Sequence, residues 1–259
     1  MSSQTVTRYE VRGRAAWITL ASPENRNALS DALVAELGAH LGAALADPAA
    51  RAVVVTGSGP AFCAGADLKS RGGSTVTSGS GPQRNPFVGI LKQMWDGPKP
   101  VIAAVNGAAF GGGVGLVAAA DIAIAADTVA FSFSEVRIGV IPAMISVVVL
   151  PKLGAHHTMR LFVTGERFDA ARALDYGLLH RVVKPEELTA AVQAEVDAIA
   201  LGGPTAVMEA KRLVRTVGRL PMDEAFAYAE EKIAALFASP EAAEGMRAFV
   251  MKEKPEWAR

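Results

Sequence analysis

Phe62-Cys63-Ala64-Gly65-Ala66-Asp67-Leu68 and Asn106-Gly107-Ala108-Ala109-Phe110-Gly111-Gly112-Gly113 are the two stretches on which the reading of this chain turns. Each follows a strand-like apolar run, Ala52-Val53-Val54-Val55 before the first and Val101-Ile102-Ala103-Ala104-Val105 before the second. Each sets small residues where a strand gives way to a loop or helix, so backbone N–H groups stand bare to an approaching ligand oxygen. Two such donors aimed at one point would stabilise charge developing on a carbonyl oxygen.

Working outward, strand-like and helix-like segments alternate. Trp17-Ile18-Thr19-Leu20 reads as a strand that ends in a turn at residues 22–27. The next segment carries Leu29, Leu33, Leu37, Leu41 and Leu45 at helical spacing and stops before Pro48. Residues 121–125 and 129–133 read as further short buried strands. This alternation predicts an α/β fold. Residues 70–86 are rich in Gly, Ser and Thr, which fits either a lid or binding loop or a surface insertion.

From Pro185 the pattern becomes helical, with helices predicted over residues 186–201, 204–217, 222–238 and 240–251. The third carries Met222, Phe226, Ala229, Ile233 and Phe237 on one stripe. Such a stripe suits packing against another subunit, or a helical layer that closes its own domain.

The composition bounds the function. At 259 residues the chain can bury a large core, and 51% hydrophobic with 20% charged residues is too apolar for disorder. Lys plus Arg equals Asp plus Glu at 26 each, so no global field favours nucleic acid or an anionic membrane. Cys63 is the sole cysteine, which excludes an intrachain disulfide and argues against a secreted scaffold. Residues 1–9 are polar and lack an apolar signal core. Residues 108–126 are apolar but broken by four glycines and Asp121, so they read as buried elements rather than a membrane span. A cytoplasmic location is expected.

Several other chemistries lack their motifs. The run Gly111-Gly112-Gly113-Val114-Gly115 has neither the Gly-Lys-Ser/Thr end of a P-loop nor dinucleotide register. No Gly-X-Ser-X-Gly element is present. His156 and His157 are adjacent, so they diverge on a helix, and solvent or helix-end roles are expected for them.

The two small-residue stretches, in this order, resemble the enoyl-CoA hydratase/isomerase (crotonase) family, and the resemblance runs over nearly the whole chain. It implies a crotonase (ClpP-like) spiral of ββα units over residues 1–200 and a C-terminal helical oligomerisation region over 201–259. It also implies a homotrimer or a dimer of trimers. By resemblance the amides of Ala66 and Gly112 form the oxyanion hole, the latter at a helix N-terminus. Glu135, in Phe131-Ser132-Phe133-Ser134-Glu135, matches one of the two catalytic glutamates of the best-known hydratases. The position of the other, twenty residues earlier, holds Gly115.

One carboxyl suffices to carry a proton between carbons 2 and 4 in an isomerase. It also suffices for hydration if another group, or the substrate, helps to place the water. Members that share the Phe-Gly-Gly-Gly-Val-Gly-Leu stretch include hydratases of branched or carboxylated enoyl-CoA, the methylglutaconyl-CoA hydratases among them. Hydration of a 2-enoyl-CoA therefore leads, with Δ3–Δ2 isomerisation and a non-catalytic acyl-CoA or RNA-binding protein as alternatives.

Coenzyme A would contact Ala64, Asp67 and Leu68 at its adenine end and Arg26 and Ala28 along its arm, while Phe249 and Lys252 match residues that reach coenzyme A on an adjacent subunit. No metal or redox cofactor is implied, because coenzyme A arrives as part of the thioester substrate. Neither DNA nor membrane is an expected partner. Phe87, Met94, Trp95, Phe110, Ile141, Met144 and Ile145 are candidates for the acyl pocket. Cys63 is expected to be a buried small hydrophobe.

Overall fold

The computed structural model describes residues 5–68 and 85–259. Strands β1 (Thr7–Arg12), β2 (Ala15–Leu20), β3 (Ala52–Gly57), β5 (Val101–Val105), β7 (Ile122–Ala126) and β10 (Arg181–Val183) form one sheet in that order. Its strands are parallel except for the antiparallel pair β1 and β2. A second sheet holds β4 (Ala61–Cys63), β6 (Ala108–Phe110), β8 (Ala130–Ser132) and β9 (Arg167–Asp169), with β9 antiparallel to β8.

The chain alternates between the sheets: β3 passes to β4, β5 to β6 and β7 to β8. After β6 comes helix α3 (Gly112–Ala119); helices α1 (Asp31–Ala46) and α2 (Pro86–Asp96) precede it. These repeated strand–strand–helix turns make the spiral that the resemblance implied.

The apolar runs lack polar alternation because the large sheet is covered on both faces. Val53, Val55, Val101, Ala103 and Val105 face the main core with Leu33, Leu37 and Leu41 of α1. Val54, Ile102, Ala104 and Ile124 face a second core with Val192 and Val196 of a later helix, Leu188–Leu201.

Among the elements that differ from the sequence reading, three bear on the site or the core. β1 is an edge strand whose side chains are mostly polar and exposed, so its period was hidden. Leu29 is not helical. The Ser30 hydroxyl caps α1 by accepting the Leu33 N–H, and Leu29 instead forms a parallel bridge with Ala66. The Leu29 N–H donates to the Gly65 carbonyl at 2.7 Å, tying α1 to the first small-residue loop. Helix α4 (Ala143–Thr164) was also unforeseen and is broken at Gly154 (φ 67°). It carries His156, which is exposed, and His157, whose ring stacks on Tyr176 at 4.1 Å. Most of the expected loop at 70–86 lies outside the described residues. At its end, Asn85 caps α2 by accepting the Phe87 N–H, and Pro86 opens that helix.

A short helix that was not predicted, α5 (Ala170–Asp175), precedes the C-terminal region, which follows the four predicted helices: α6 (Leu188–Leu201), α7 (Pro204–Val217), α8 (Met222–Phe237) and α9 (Pro240–Met251). Asp121 fastens α7 to the spiral. Its carboxylate accepts from Lys211 Nζ at 2.9 Å, from Arg215 Nη2 at 2.6 Å and from the Val101 N–H at 2.8 Å. Lys211 also donates to the Met94 and Lys99 carbonyls, and the Arg215 guanidinium lies 3.4 Å from the Trp95 ring centroid. By contrast Met222, Phe226, Ile233 and Phe237 on α8 are all exposed. No helix among the described residues is long and apolar enough to cross a membrane.

Candidate active site

β4 ends at Cys63, and the loop that follows turns through Gly65 at φ +86°. A Cβ on Gly65 would stand 2.7 Å from the Phe110 carbonyl oxygen and 3.4 Å from the Gly112 amide nitrogen. The first loop thus lies directly against the start of α3. Gly112 is the first residue of that helix, where the N–H has no acceptor within the helix and the helix dipole is positive. Below the loop Cys63 is fully buried, and burial pushes its thiol up to about 12, far from reactivity at neutral pH.

Glu135 comes from a 3-10 turn, Ser134–Ile138, after β8. A Cβ on Gly111 would be 2.9 Å from its Oε1, so only glycine lets the carboxyl settle against that backbone. Its Oε2 is buried without a hydrogen-bond partner. Burial raises the Glu135 carboxyl above its ordinary value and outweighs the opposing pull of its own backbone N–H. A half-buried carboxyl with an unpartnered oxygen and a raised pKa is placed to take up and then release a proton.

A cavity of about 480 Å³ joins these pieces, with Ala66, Gly112 and Glu135 all on its wall. Ala64 and Leu68 line it, whereas Arg26, Ala28, Asp67, Phe249 and Lys252 are not among its described lining residues. Arg26 instead holds the loop from behind, its carbonyl accepting the Ala64 N–H at 3.0 Å. Ala28 is buried, and Phe249 is 86% exposed.

Of the candidate acyl-pocket residues, Phe87, Ile141, Met144 and Ile145 line the cavity. Met94 is fully buried in the core, and Trp95 lies beside Arg215, along a second cavity of about 770 Å³. Phe110 is stacked under the Arg167 guanidinium. The position of the absent glutamate is occupied: a Cβ on Gly115 would fall 2.3 Å from Ile145 Cγ2.

Several cavity residues were not foreseen, among them Leu29, Asp31, Asn85 and Ser134. Their proximity arises from the Leu29–Ala66 bridge, the α2 cap and the turn before Glu135. Only the Asn-Pro pair at 85–86, a helix-start signal beside the long loop, gave a local hint.

Residues 10–259 match the family described as Enoyl-CoA hydratase/isomerase. The chain belongs to this family. It is 38% identical over 258 residues to a Rhizobium meliloti (strain 1021) protein named "Probable enoyl-CoA hydratase", covering 99% of each chain. It is 36% identical over 221 residues to a carnitinyl-CoA dehydratase of Proteus mirabilis (strain HI4320), covering 82% of each. The solved enoyl-CoA hydratase of Mycobacterium smegmatis superposes with a TM-score of 0.92 at 32% identity, covering 99% of this chain and 100% of that one. A Legionella pneumophila protein named "putative enoyl CoA hydratase/isomerase (crotonase)" superposes with a TM-score of 0.91 at 34% identity, covering 98% of this chain and 100% of that one. The fold of this family member is therefore the crotonase fold.

Proposed function

We propose that this family member is an enoyl-CoA hydratase that adds water across the 2,3 double bond of a 2-enoyl-CoA thioester. The observation that carries the reading is the meeting of Ala66, Gly112 and Glu135 on one cavity, with a Glu135 oxygen left unpartnered. The Ala66 and Gly112 N–H groups hold the thioester oxygen as it gains charge, each such donor contributing about 2.7–4 kcal/mol to the transition state. Ionised Glu135 takes a proton from water as its oxygen bonds to carbon 3, and the electron pair of the double bond moves to form the enolate. Protonated Glu135 then delivers that proton to carbon 2.

Coenzyme A in this reading lies along Ala64, Asp67 and Leu68, with Arg26 and Ala28 behind its arm. Phe249 and Lys252, which are not among the described lining residues of the chain's own cavity, reach coenzyme A on a neighbouring subunit. The exposed apolar residues of α8 and α9 support a homotrimer, or two trimers joined, and sedimentation should give at least three times the 26.9 kDa chain mass. Coenzyme A enters as part of the substrate, no separate cofactor takes part, and the enzyme works in the cytoplasm.

Glu135→Gln should lower turnover by about 10²–10⁴ while preserving fold and acyl-CoA binding. Turnover near that of the unsubstituted enzyme would refute the assignment. A second reading, isomerisation of a 3-enoyl to a 2-enoyl thioester, is favoured by the hydrocarbon that fills the space over Gly115. Product analysis after incubation with both thioesters separates the two. Tight binding with no turnover of either would indicate a non-catalytic acyl-CoA protein.

A further inference from the structure

Resting on the acyl-CoA reading of this cavity, we infer that Ile145, seated on Gly115, determines acyl selectivity and commits the site to neutral aliphatic acyl groups over carboxylated ones. Gly115 stands three residues along α3 from Gly112, about 4.5 Å further along the helix axis. That is about the reach of three carbon–carbon bonds from a thioester carbonyl held at Gly112. An acyl chain that runs along α3 from that carbonyl would bring carbons 3 and 4 beside the place that Ile145 fills.

The wall there is hydrocarbon. Ile145 Cγ2 would touch any side chain added at 115, and the Phe87 ring closes on both glycines, 3.5 Å from a Cβ at 112 and 3.9 Å from one at 115. Ile145 is 4% exposed, so it is held in position rather than free to swing aside.

The charge pattern points the same way. Among the described residues that line the cavity, the titratable side chains are Asp31 and Glu135, both acids, and no Lys, Arg or His is present. A carboxylate at the acyl end would lose its water against Ile145 and Phe87 and find no cation among the described lining residues. It would also approach an acid that must itself ionise for catalysis. On the wall formed by Ile145 and Phe87, a methyl branch at carbon 3 would meet hydrocarbon.

The test measures kcat/KM for 2-butenoyl-, 3-methyl-2-butenoyl- and 2-pentenedioyl-CoA, and calorimetric binding of butyryl- and glutaryl-CoA. The dicarboxylic thioester should be slower than both neutral ones by about a hundredfold, and glutaryl-CoA should bind correspondingly more weakly than butyryl-CoA. Met144→Arg places a cation at the exposed edge of the same wall and should move both ratios toward the carboxylated ligands by at least about tenfold. Equal use or equal binding of the two classes by the unsubstituted protein would overturn the inference. So would ratios unmoved by Met144→Arg in a folded variant. Absence of turnover with every thioester would instead defeat the hydratase reading, and the binding ratio would still decide the selectivity.

Discussion

The carboxyl of Glu135 rests against the backbone of Gly111, its Oε1 2.9 Å from where a Cβ would stand. That contact places the acid one residue before the helix that presents the Gly112 N–H. It also withdraws the carboxyl from water, which is the origin of its raised pKa.

The pH dependence follows from this withdrawal. Folding favours the protonated form, so the contribution of Glu135 to stability is fully present below the 4.5 of an ordinary glutamate. It is lost as pH rises through the raised folded value. Glu135→Gln should remove this slope, and its melting temperature should exceed that of the unsubstituted protein at pH 8 with the gap closing on acidification. For hydration, kcat/KM should fall as pH drops through an apparent pKa above 4.5, because water must meet the ionised acid. A limb at or below 4.5 would contradict the assignment.

Gly65→Ala tests the contact between the two loops. The residue would keep φ +86°, which costs an L side chain about 1–3 kcal/mol, and its Cβ would press on the Phe110 carbonyl. Turnover should fall by about a hundredfold as the two donors separate, with a native circular dichroism spectrum. Undiminished turnover would show that their spacing is not needed.

Restoring the missing acid requires two changes. Gly115→Glu alone overpacks the cavity against Ile145 and should cost about 1–3 kcal/mol in denaturant titrations. Adding Ile145→Ala opens the space and should recover part of that loss. If the single variant is as stable as the parent, Ile145 does not block the position.

Asp121→Asn probes the fastening of the C-terminal helices. It leaves Lys211 and Arg215 buried beside a neutral side chain, a loss of about 3–5 kcal/mol. Chemical denaturation should show a lower midpoint, and hydrogen exchange should quicken first in α7. Exchange rising evenly over the whole chain would argue against a local clamp.

The sequence by itself determined the alternation of strands and helices and the two small-residue corners, because these depend on neighbours in the chain. Val53 to Val55 and Val101 to Val105 announced buried strands, and the C-terminal helices followed their prolines and apolar stripes. The resemblance singled out Ala66, Gly112 and Glu135 from local motifs. Only the tertiary structure decided that Leu29 leaves its helical register to bridge Ala66, because the Ser30 cap competes with a five-leucine pattern and wins. It alone decided that Asp121 pairs with α7, some ninety residues away. It alone decided that Ile145 occupies the room over Gly115. Such contacts join residues distant in the chain through volume and charge, and neither leaves a periodic trace in the sequence.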